Sequence, residues 1–257
     1  MSLVASSLSY AVAGNEIVHG VEMALEPHQL TVLIGPNGSG KTTLLRLMNG
    51  ELEPTEGAVE LSGIDVNEID LEERARRFAV LPQTSALDFP FTVKEVVAMG
   101  RIPHQLHHVK NEQVVDDVIE RLNLSSLKNR IYTTMSGGEK QRTQLARVLV
   151  QLWDRLPDGY FFLDEPNSAM DLAHHQHLFR SLRYVADEGA SVLVVLHDIN
   201  LALRYADQIG LMSEGKLIAF GKPEDVVQPK LINQTFSVDV ELLDTGVSGR
   251  PLLIVRD

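Results

Sequence analysis

Short apolar runs alternate with longer stretches of helical spacing along most of the chain. The apolar runs that predict buried strands are 31–34, 78–81, 160–163, 192–196 and 209–212. Between them apolar residues recur at helical spacing, as in 42–49 and 172–184. Strands that alternate with helices in this way are typical of a parallel sheet with crossover helices. The pattern therefore predicts an α/β fold.

Three regions depart from this alternation. Residues 1–30 and 51–66 alternate loosely and contain turn residues, which predicts antiparallel strands beside the main sheet. The stretch 84–150 contains helical patterns at 93–99 and 111–124 but no convincing strand, so we expect a helical insertion there. We therefore predict a single domain, 1–257, with these parts: an α/β lobe with an antiparallel β subdomain (1–83 and 151–222), a helical subdomain (84–150) and a short C-terminal appendage (223–257).

Composition excludes several classes of protein. The 257 residues carry 23 Lys and Arg against 35 Asp and Glu, a net charge of −12, so we expect no nucleic-acid partner. The absence of cysteine excludes disulfides, thiolate metal sites and a Cys nucleophile. No apolar run approaches the roughly 18 residues that a membrane-spanning helix needs. The first basic residue is Lys41, so the positive start of a signal peptide is missing.

The segment GPNGSGKT at 35–42 matches the phosphate-loop pattern G-x-x-x-x-G-K-[ST]. It lies between a predicted strand and a predicted helix, which is the context that this motif requires. Its glycines let backbone N–H groups turn toward phosphate oxygens. Lys41 supplies a charge for the β- and γ-phosphates, and the Thr42 hydroxyl can ligate Mg²⁺. The alternative, a Gly-rich turn that only caps a helix, explains less of this pattern.

Polar residues follow three other predicted strands. Asp164 can join the Mg²⁺ environment, and Glu165 can act as general base on the attacking water. His197 can reach the γ-phosphate, because the carboxyl ends of parallel strands form the ligand edge of the sheet. Gln83 carries a neutral amide that can ligate Mg²⁺ or orient water. Each of these is a weak signal alone, and the phosphate loop gives the set its meaning.

A second helix start suited to an anion lies at SGGEK, residues 136–140. Ser136 and Glu139 have the spacing of a capping box, and Gly137 and Gly138 leave N–H groups available to an anion. Only the first of the two phosphate-type helix starts has the lysine of the phosphate-loop pattern. The second start could complete a nucleotide site on another subunit, which predicts a two-fold homodimer with two nucleotides between its subunits. A helix cap with no further role is the alternative.

Together these segments resemble the ABC-type ATPase subunits over residues 1–220. The motifs come in that family's order and approximate spacing: GPNGSGKT (35–42), Gln83, SGGEK (136–140), LDEP (163–166), SAMD (168–171) and His197. The resemblance implies a P-loop NTPase with a RecA-like, mainly parallel sheet lobe, an antiparallel β subdomain and an inserted α-helical subdomain. It also implies ATP as the nucleotide and Mg²⁺ as its metal.

The resemblance assigns roles to the matched residues. Glu165 would be the base in hydrolysis, assisted by Lys41, Gln83 and His197. The Mg²⁺ ligands would be Thr42, Gln83 and Asp164. The residues expected to bind nucleotide are Tyr10, Gly35, Pro36, Asn37, Gly38, Ser39, Gly40, Lys41, Thr42, Thr43, Gln83, Ser136, Gly137, Gly138, Asp164, Asp171 and His197. Tyr10 would stack on adenine, with an ordinary core or surface tyrosine as the alternative, and Asp171 would cross the dimer interface.

Four positions depart from the usual family pattern. Met135 and Glu139 replace the usual Leu and Gln around SGG, and Asn167 and Met170 replace Thr and Leu near the second carboxylate motif. The first two are common variants and leave activity expected. The other two concern the detailed subunit interface and not hydrolysis.

The segment 83–104 is similar to importer ATPases for ferric siderophores, haem and cobalamin, and the link 149–166 is especially similar to haem (hemin) importer ATPases. The resemblance implies a peripheral subunit on the cytoplasmic face of the bacterial inner membrane that powers haem import. Its partners would be a second ATPase copy, two copies of an integral-membrane permease and, indirectly, a periplasmic substrate-binding protein. Phe89 and Phe91 would form the permease-docking groove if exposed, and subdomain core if buried.

Several alternatives stay open at this point. Import of a ferric siderophore or of cobalamin is the nearest one. A soluble ABC-type ATPase that acts on nucleic acid is opposed by the charge of −12. A P-loop GTPase is opposed by the lack of an Asn-Lys-x-Asp motif, and a regulatory module without turnover is opposed by the presence of both Glu165 and His197.

Overall fold

The structure is a computed structural model of the chain, and it describes residues 1–84, 87–104, 108–167, 172–244 and 250–256. Its strands are β1 (Leu3–Val12), β2 (Asn15–Leu25), β3 (Leu30–Ile34), β4 (Glu56–Leu61), β5 (Ile64–Asp65), β6 (Phe78–Leu81), β7 (Tyr160–Asp164), β8 (Ser191–Val195), β9 (Gln208–Ser213), β10 (Lys216–Gly221), β11 (Val240–Leu243) and β12 (Leu252–Val255). Its helices are α1 (Lys41–Met48), α2 (Leu71–Ala75), α3 (Val93–Ala98), α4 (His108–Arg121), α5 (Gly137–Leu152), α6 (Leu172–Asp187), α7 (Ile199–Tyr205), α8 (Pro223–Val226) and α9 (Pro229–Phe236).

The chain divides into two compact units. The first contains 1–68 and 193–257, and the second contains 69–192, so the division falls inside β8. The division into lobe, helical subdomain and appendage that the sequence predicts stays a prediction.

The first unit holds two main groups of strands. An antiparallel sheet has the order β2-β1-β4-β5, which confirms the antiparallel strands predicted in 1–30 and 51–66. In the other group β3 pairs in parallel with β9, and β9 pairs antiparallel with β10. The N–H of Leu196 donates to the carbonyl of Leu33 at 3.0 Å, so the end of β8 lies beside β3. The C-terminal appendage contains the hairpin β11–β12, which the sequence pattern did not predict.

Strand β3 and helix α1 frame the predicted phosphate loop. All five residues of β3 are buried, as expected for a continuous apolar run covered on both faces. Helix α1 buries the apolar side chains that predicted it: Leu44, Leu45, Leu47 and Met48. Gly50, which follows the C-cap Asn49, has a φ of 72° and donates its N–H to the Leu47 carbonyl at 3.0 Å, so it closes the end of the helix. The loop is therefore anchored at both ends by buried structure.

The second unit combines parallel strands with the helical insertion. Strands β6 and β7 pair in parallel, with Leu81 opposite Leu163. The helical patterns at 93–99 and 111–124 are found as α3 and α4. Within the described part of 84–150 the extended pairing recorded is a single bridge between Thr92 and Ile131. The prediction that this stretch is mainly helical is confirmed.

An arginine clamp closes the C-terminal end of α5. Arg101 is only 3% exposed and makes a bidentate ion pair with Asp154 at 2.8 and 3.1 Å. It also donates to the Val150 carbonyl at 2.8 Å, which satisfies one of the last backbone acceptors of the helix. Burial raises the pKa of Asp154, but the hydrogen bonds and charge of Arg101 outweigh burial and lower the pKa overall. The carboxylate therefore stays ionised.

No helix in the described ranges is both long and apolar enough to cross a membrane.

Replacing Arg101 by Met should lower the free energy of unfolding by about 3–5 kcal/mol, because Asp154 and the helix-end carbonyls lose a buried charged partner. Urea denaturation measures this difference. The control is Arg183→Met, which removes an exposed pair with Asp187 at 2.9 Å and should cost less than about 1 kcal/mol. Equal effects of the two changes would contradict the clamp.

Candidate functional site

The phosphate loop wraps around the ammonium group of Lys41. The Nζ atom of Lys41 donates to the carbonyls of Gly35 at 2.9 Å and Pro36 at 2.8 Å, and the side chain is 6% exposed. The N–H of Ser39 closes the turn on the Pro36 carbonyl at 3.3 Å. The loop thus places the ammonium group of Lys41 among inward-facing backbone groups, where its charge would attract an anion.

Two glycines in this loop adopt conformations that other residues disfavour. Gly35 has a φ of +154°, and a Cβ there would lie 2.2 Å from the Met212 carbonyl oxygen. Gly40, the N-cap of α1, has a φ of +95°, and a Cβ would lie 2.9 Å from the Ile17 carbonyl oxygen. Both glycines are therefore required for the loop to pack against neighbouring backbone.

The first turn of α1 presents a hydroxyl to solvent. Thr42 is exposed and Thr43 is half-buried, while Lys41 before them is buried. Asn37 and Gly38, at the tip of the loop, are also exposed. A helix N-terminus with an exposed hydroxyl suits a phosphate and its metal ion. The donor set of the loop therefore fits a nucleotide triphosphate.

His197 and Tyr10 lie in the same unit as the loop. His197 is exposed and follows β8, whose end lies beside the strand that leads into the loop. Asp198, the next residue, caps α7 by accepting N–H groups from Asn200 and Leu201 at 2.8 and 3.1 Å. Tyr10 is half-buried on β1 and pairs with Val18 of β2. The structure thus brings the end of β8 to the loop's strand and leaves Tyr10 partly accessible.

The second unit carries the predicted carboxylates and Gln83. Asp164 ends β7 and is 3% exposed, whereas Glu165 after it is half-buried. Because β6 and β7 are parallel and in register, Gln83 leaves the sheet at the same edge as Glu165. Gln83 and Asp164 line one cavity of about 250 Å³ together with Gly137, Gln141 and Gln144. The structure therefore brings Gln83 and Asp164 together at one cavity.

Ser136 forms the predicted capping box at the start of α5. Its N–H and hydroxyl donate to the Glu139 carboxylate at 2.8 and 2.9 Å, and its oxygen accepts the Glu139 N–H at 3.4 Å. These hydrogen bonds from Ser136 lower the pKa of Glu139, so this side chain is a carboxylate at neutral pH. Ser136 and Gly137 are exposed, and Gly138 is half-buried. The helix start is rigid and accessible to a partner.

A buried polar network behind this helix start was not predicted from the sequence. Gln144, which is 4% exposed, donates to the Tyr132 hydroxyl at 3.0 Å and accepts from Arg147 at 2.7 Å. Gln141 donates to the carbonyl of Glu165 at 3.4 Å. The sequence does not distinguish a helical glutamine that has buried hydrogen-bond partners from one that faces solvent. The predicted interface residue Asp171 lies outside the described residues, as does the rest of SAMD.

Comparisons with known proteins agree with this picture. A family model described as ABC transporter matches residues 18–168. The hemin import ATP-binding protein HmuV of Pseudomonas fluorescens is 42% identical over 243 residues, which cover 95% of each chain. The protein of the same name from Escherichia coli O157:H7 is 41% identical over 253 residues, 98% of each chain.

Solved structures share the fold. A metal-chelate type ABC transporter in an inward-facing conformation superposes with a TM-score of 0.83 and 22% identity, covering 100% of this chain and 98% of that chain. An ATP-binding subunit of an ABC transporter gives a TM-score of 0.78 and 22% identity, covering 92% and 94%. At this identity the likeness concerns the fold alone.

Replacing Gly35 by Ala should weaken ATP binding roughly 5- to 150-fold, because backbone strain and the collision of the new Cβ cost the loop roughly 1–3 kcal/mol. Titration of a fluorescent ATP analogue measures the affinity. The control is Gly63→Ala. Gly63 also has a positive φ, +82°, but a Cβ added there would have no other atom within 4 Å. Binding by Gly35→Ala as tight as that of the control would show that the loop geometry is not needed.

Proposed function

This chain belongs to the ABC transporter family, and we propose that it is the ATP-hydrolysing subunit that powers import of haem through a membrane permease. The observation that carries the haem assignment is the identity of 41–42% over nearly the whole chain with proteins named for hemin import. The observation that supports ATP binding is the loop that buries the Lys41 ammonium beside an exposed helix start. Import of a ferric siderophore or cobalamin is the second candidate.

We infer that the loop residues 35–43 hold the triphosphate of ATP. Lys41 supplies the charge, and the N-terminus of α1 adds its dipole. Oxygen donors from Thr42, Gln83 and Asp164 match the preference of Mg²⁺ for hard ligands. When bound, Mg²⁺ supplies charge neutralisation of the phosphates. Tyr10 stacks on the adenine ring in this proposal, and its partial exposure on β1 is compatible with that role.

We assign hydrolysis to three polar residues at strand ends. Glu165 accepts a proton from the attacking water, as a half-buried carboxylate after a buried strand can do. His197 contacts the γ-phosphate, and Gln83 orients the water. Gln83 also reports the γ-phosphate to the helical segment that follows it.

The signature segment completes the site of a second copy in this proposal. Ser136, Gly137 and Gly138 form an exposed, capped helix start that can hold an anion. This helix start has no lysine at the position that Lys41 occupies in the phosphate loop. A two-fold dimer would place it over the ATP of the partner subunit, with Asp171 at the interface. ATP binding then closes the dimer, and hydrolysis reopens it.

Phe89 marks the surface on which we place the permease. Its side chain is 67% exposed, and its ring centroid lies 6.1 Å from that of the half-buried Phe91. The Phe91 carbonyl accepts the N–H of Tyr132, a buried residue, at 2.8 Å. An exposed aromatic on an anchored backbone suits a docked helix. The subunit would then sit on the cytoplasmic face of the bacterial inner membrane, bound to two permease copies and linked through them to a periplasmic binding protein.

Replacing Glu165 by Gln should keep ATP binding and favour the dimer, while ATP turnover falls about 10²-fold or more because general-base assistance is lost. Phosphate release and size-exclusion chromatography with ATP measure the two effects. Wild-type turnover in this variant would show that Glu165 is not the base.

Replacing Phe89 by Ala should reduce assembly with the permease at least about tenfold, as expected for an exposed aromatic anchor. Assembly is measured by co-purification from the membranes of cells that express the partner permease. Leu71→Ala is the matched control, since Leu71 is 71% exposed on the same unit. Undiminished assembly and transport by the Phe89 variant would place the permease elsewhere.

The identity of the substrate is tested by measuring transport into proteoliposomes that contain the subunit and its partner permease. ATP-dependent uptake of haem, with little uptake of ferric siderophore or cobalamin, is the expected result. Preference for either of the other two would move the assignment to the second candidate.

A further inference from the structure

The backbone of Glu165 has an unusual conformation. Its φ is +48°, in the left-handed region that residues other than glycine disfavour. The residue directly follows β7, whose five residues are all buried. A strained residue of this kind persists only when its surroundings hold it. The direction in which the Glu165 carboxylate leaves the chain depends on that hold, because the same backbone angles set the carbonyl and the side chain.

Gln141 contacts this strained residue from the signature helix. Its Nε2 atom donates to the Glu165 carbonyl oxygen at 3.4 Å, and the side chain is half-buried. Gln141 also lines the cavity of about 250 Å³ that Gln83 and Asp164 line. Gln141 therefore lies beside the polar residues to which hydrolysis is assigned. It is not among the site residues predicted from the sequence.

The helix turn that carries Gln141 is held firmly. The capping box of Ser136 and Glu139 fixes its first residues. The Thr143 hydroxyl donates to the Glu139 carbonyl at 2.8 Å, and the buried Gln144 amide donates to the Tyr132 hydroxyl at 3.0 Å. Gln141 is therefore tied to the same helix start as Ser136, so a displacement of that helix start would also move the Gln141 amide.

We propose that Gln141 is a positioning residue that sets the orientation of Glu165 according to the position of the signature helix. This inference rests on the proposed function, in which Glu165 is the base and the start of α5 binds the nucleotide of a second copy. Engagement of Ser136 and Gly138 by that nucleotide would move or lock the start of α5. Gln141 would then hold the Glu165 carbonyl in the orientation that points its carboxylate at water.

Gln141→Met tests the proposal, since methionine keeps the length of the side chain but removes the N–H donor. The kcat for ATP should fall about tenfold, as for a misplaced catalytic group, while the KM for ATP and the urea midpoint stay within twofold and within error of wild type. Gln113→Met makes the same chemical change at an exposed position on α4 and should leave kcat unchanged. Gln141→Glu, which faces an oxygen toward the carbonyl, should reproduce the loss if the Met variant folds poorly.

A double-mutant cycle separates positioning from a general structural effect. In the Glu165→Gln background, single-turnover hydrolysis should be no slower when Gln141→Met is added, because the group being positioned is already lost. A full tenfold further loss would overturn the proposal, as would normal kcat in both Gln141 variants while Glu165→Gln abolishes turnover. Wild-type turnover of Glu165→Gln alone would instead overturn the proposed function.

Discussion

The structure depends first on a buried positive charge. An ammonium removed from water is costly unless its hydrogen bonds are satisfied, and Lys41 meets this constraint by donating to the carbonyls of Gly35 and Pro36. Gly35 also has no Cβ, which lets the backbone of the loop pack directly on the Met212 carbonyl. The buried strand β3 and the buried face of α1 hold both ends of the loop. These hydrogen bonds support the proposal that the loop binds the negative charge of a triphosphate.

The second unit is organised around a different element, the capped start of α5. The capping box at Ser136 and the network of Tyr132, Gln144 and Arg147 fix this helix from its first turn. The arginine clamp fixes its other end. Because α5 is held at both ends, a displacement of the exposed Ser136 would move the whole helix. That movement would change the contacts of α5 with the residues that follow β7. This arrangement supports the proposed coupling of nucleotide contact to hydrolysis and to a docked permease.

Much of this was predictable from the sequence because the signals are local. The runs at 31–34 and 160–163 are almost entirely apolar since both faces of those strands are buried, and the Ser136–Glu139 spacing identifies a cap within four residues. The phosphate loop is recognised because each of its residue types is needed within eight positions. Long-range polar contacts leave no such trace. The contacts of Arg101 with Asp154 and of Gln141 with Glu165 form only when the helices pack, so the sequence does not predict them. The positive φ of Glu165 could not be predicted either, because glutamate usually adopts other backbone conformations. The hairpin β11–β12 was missed because its strands are short and lie in a tail with weak alternation.

We propose that the loop of Lys41 and the helix start at Ser136 form one working site only when they come from different copies. Mixing two inactive variants, Lys41→Ala and Ser136→Arg, tests this directly by ATP turnover. In a two-fold dimer the mixed pairs contain one site with both changes and one intact site, so a 1:1 mixture should regain about a quarter of wild-type turnover. A mixture that hydrolyses ATP no faster than either variant alone, although mixed dimers form, would contradict the claim.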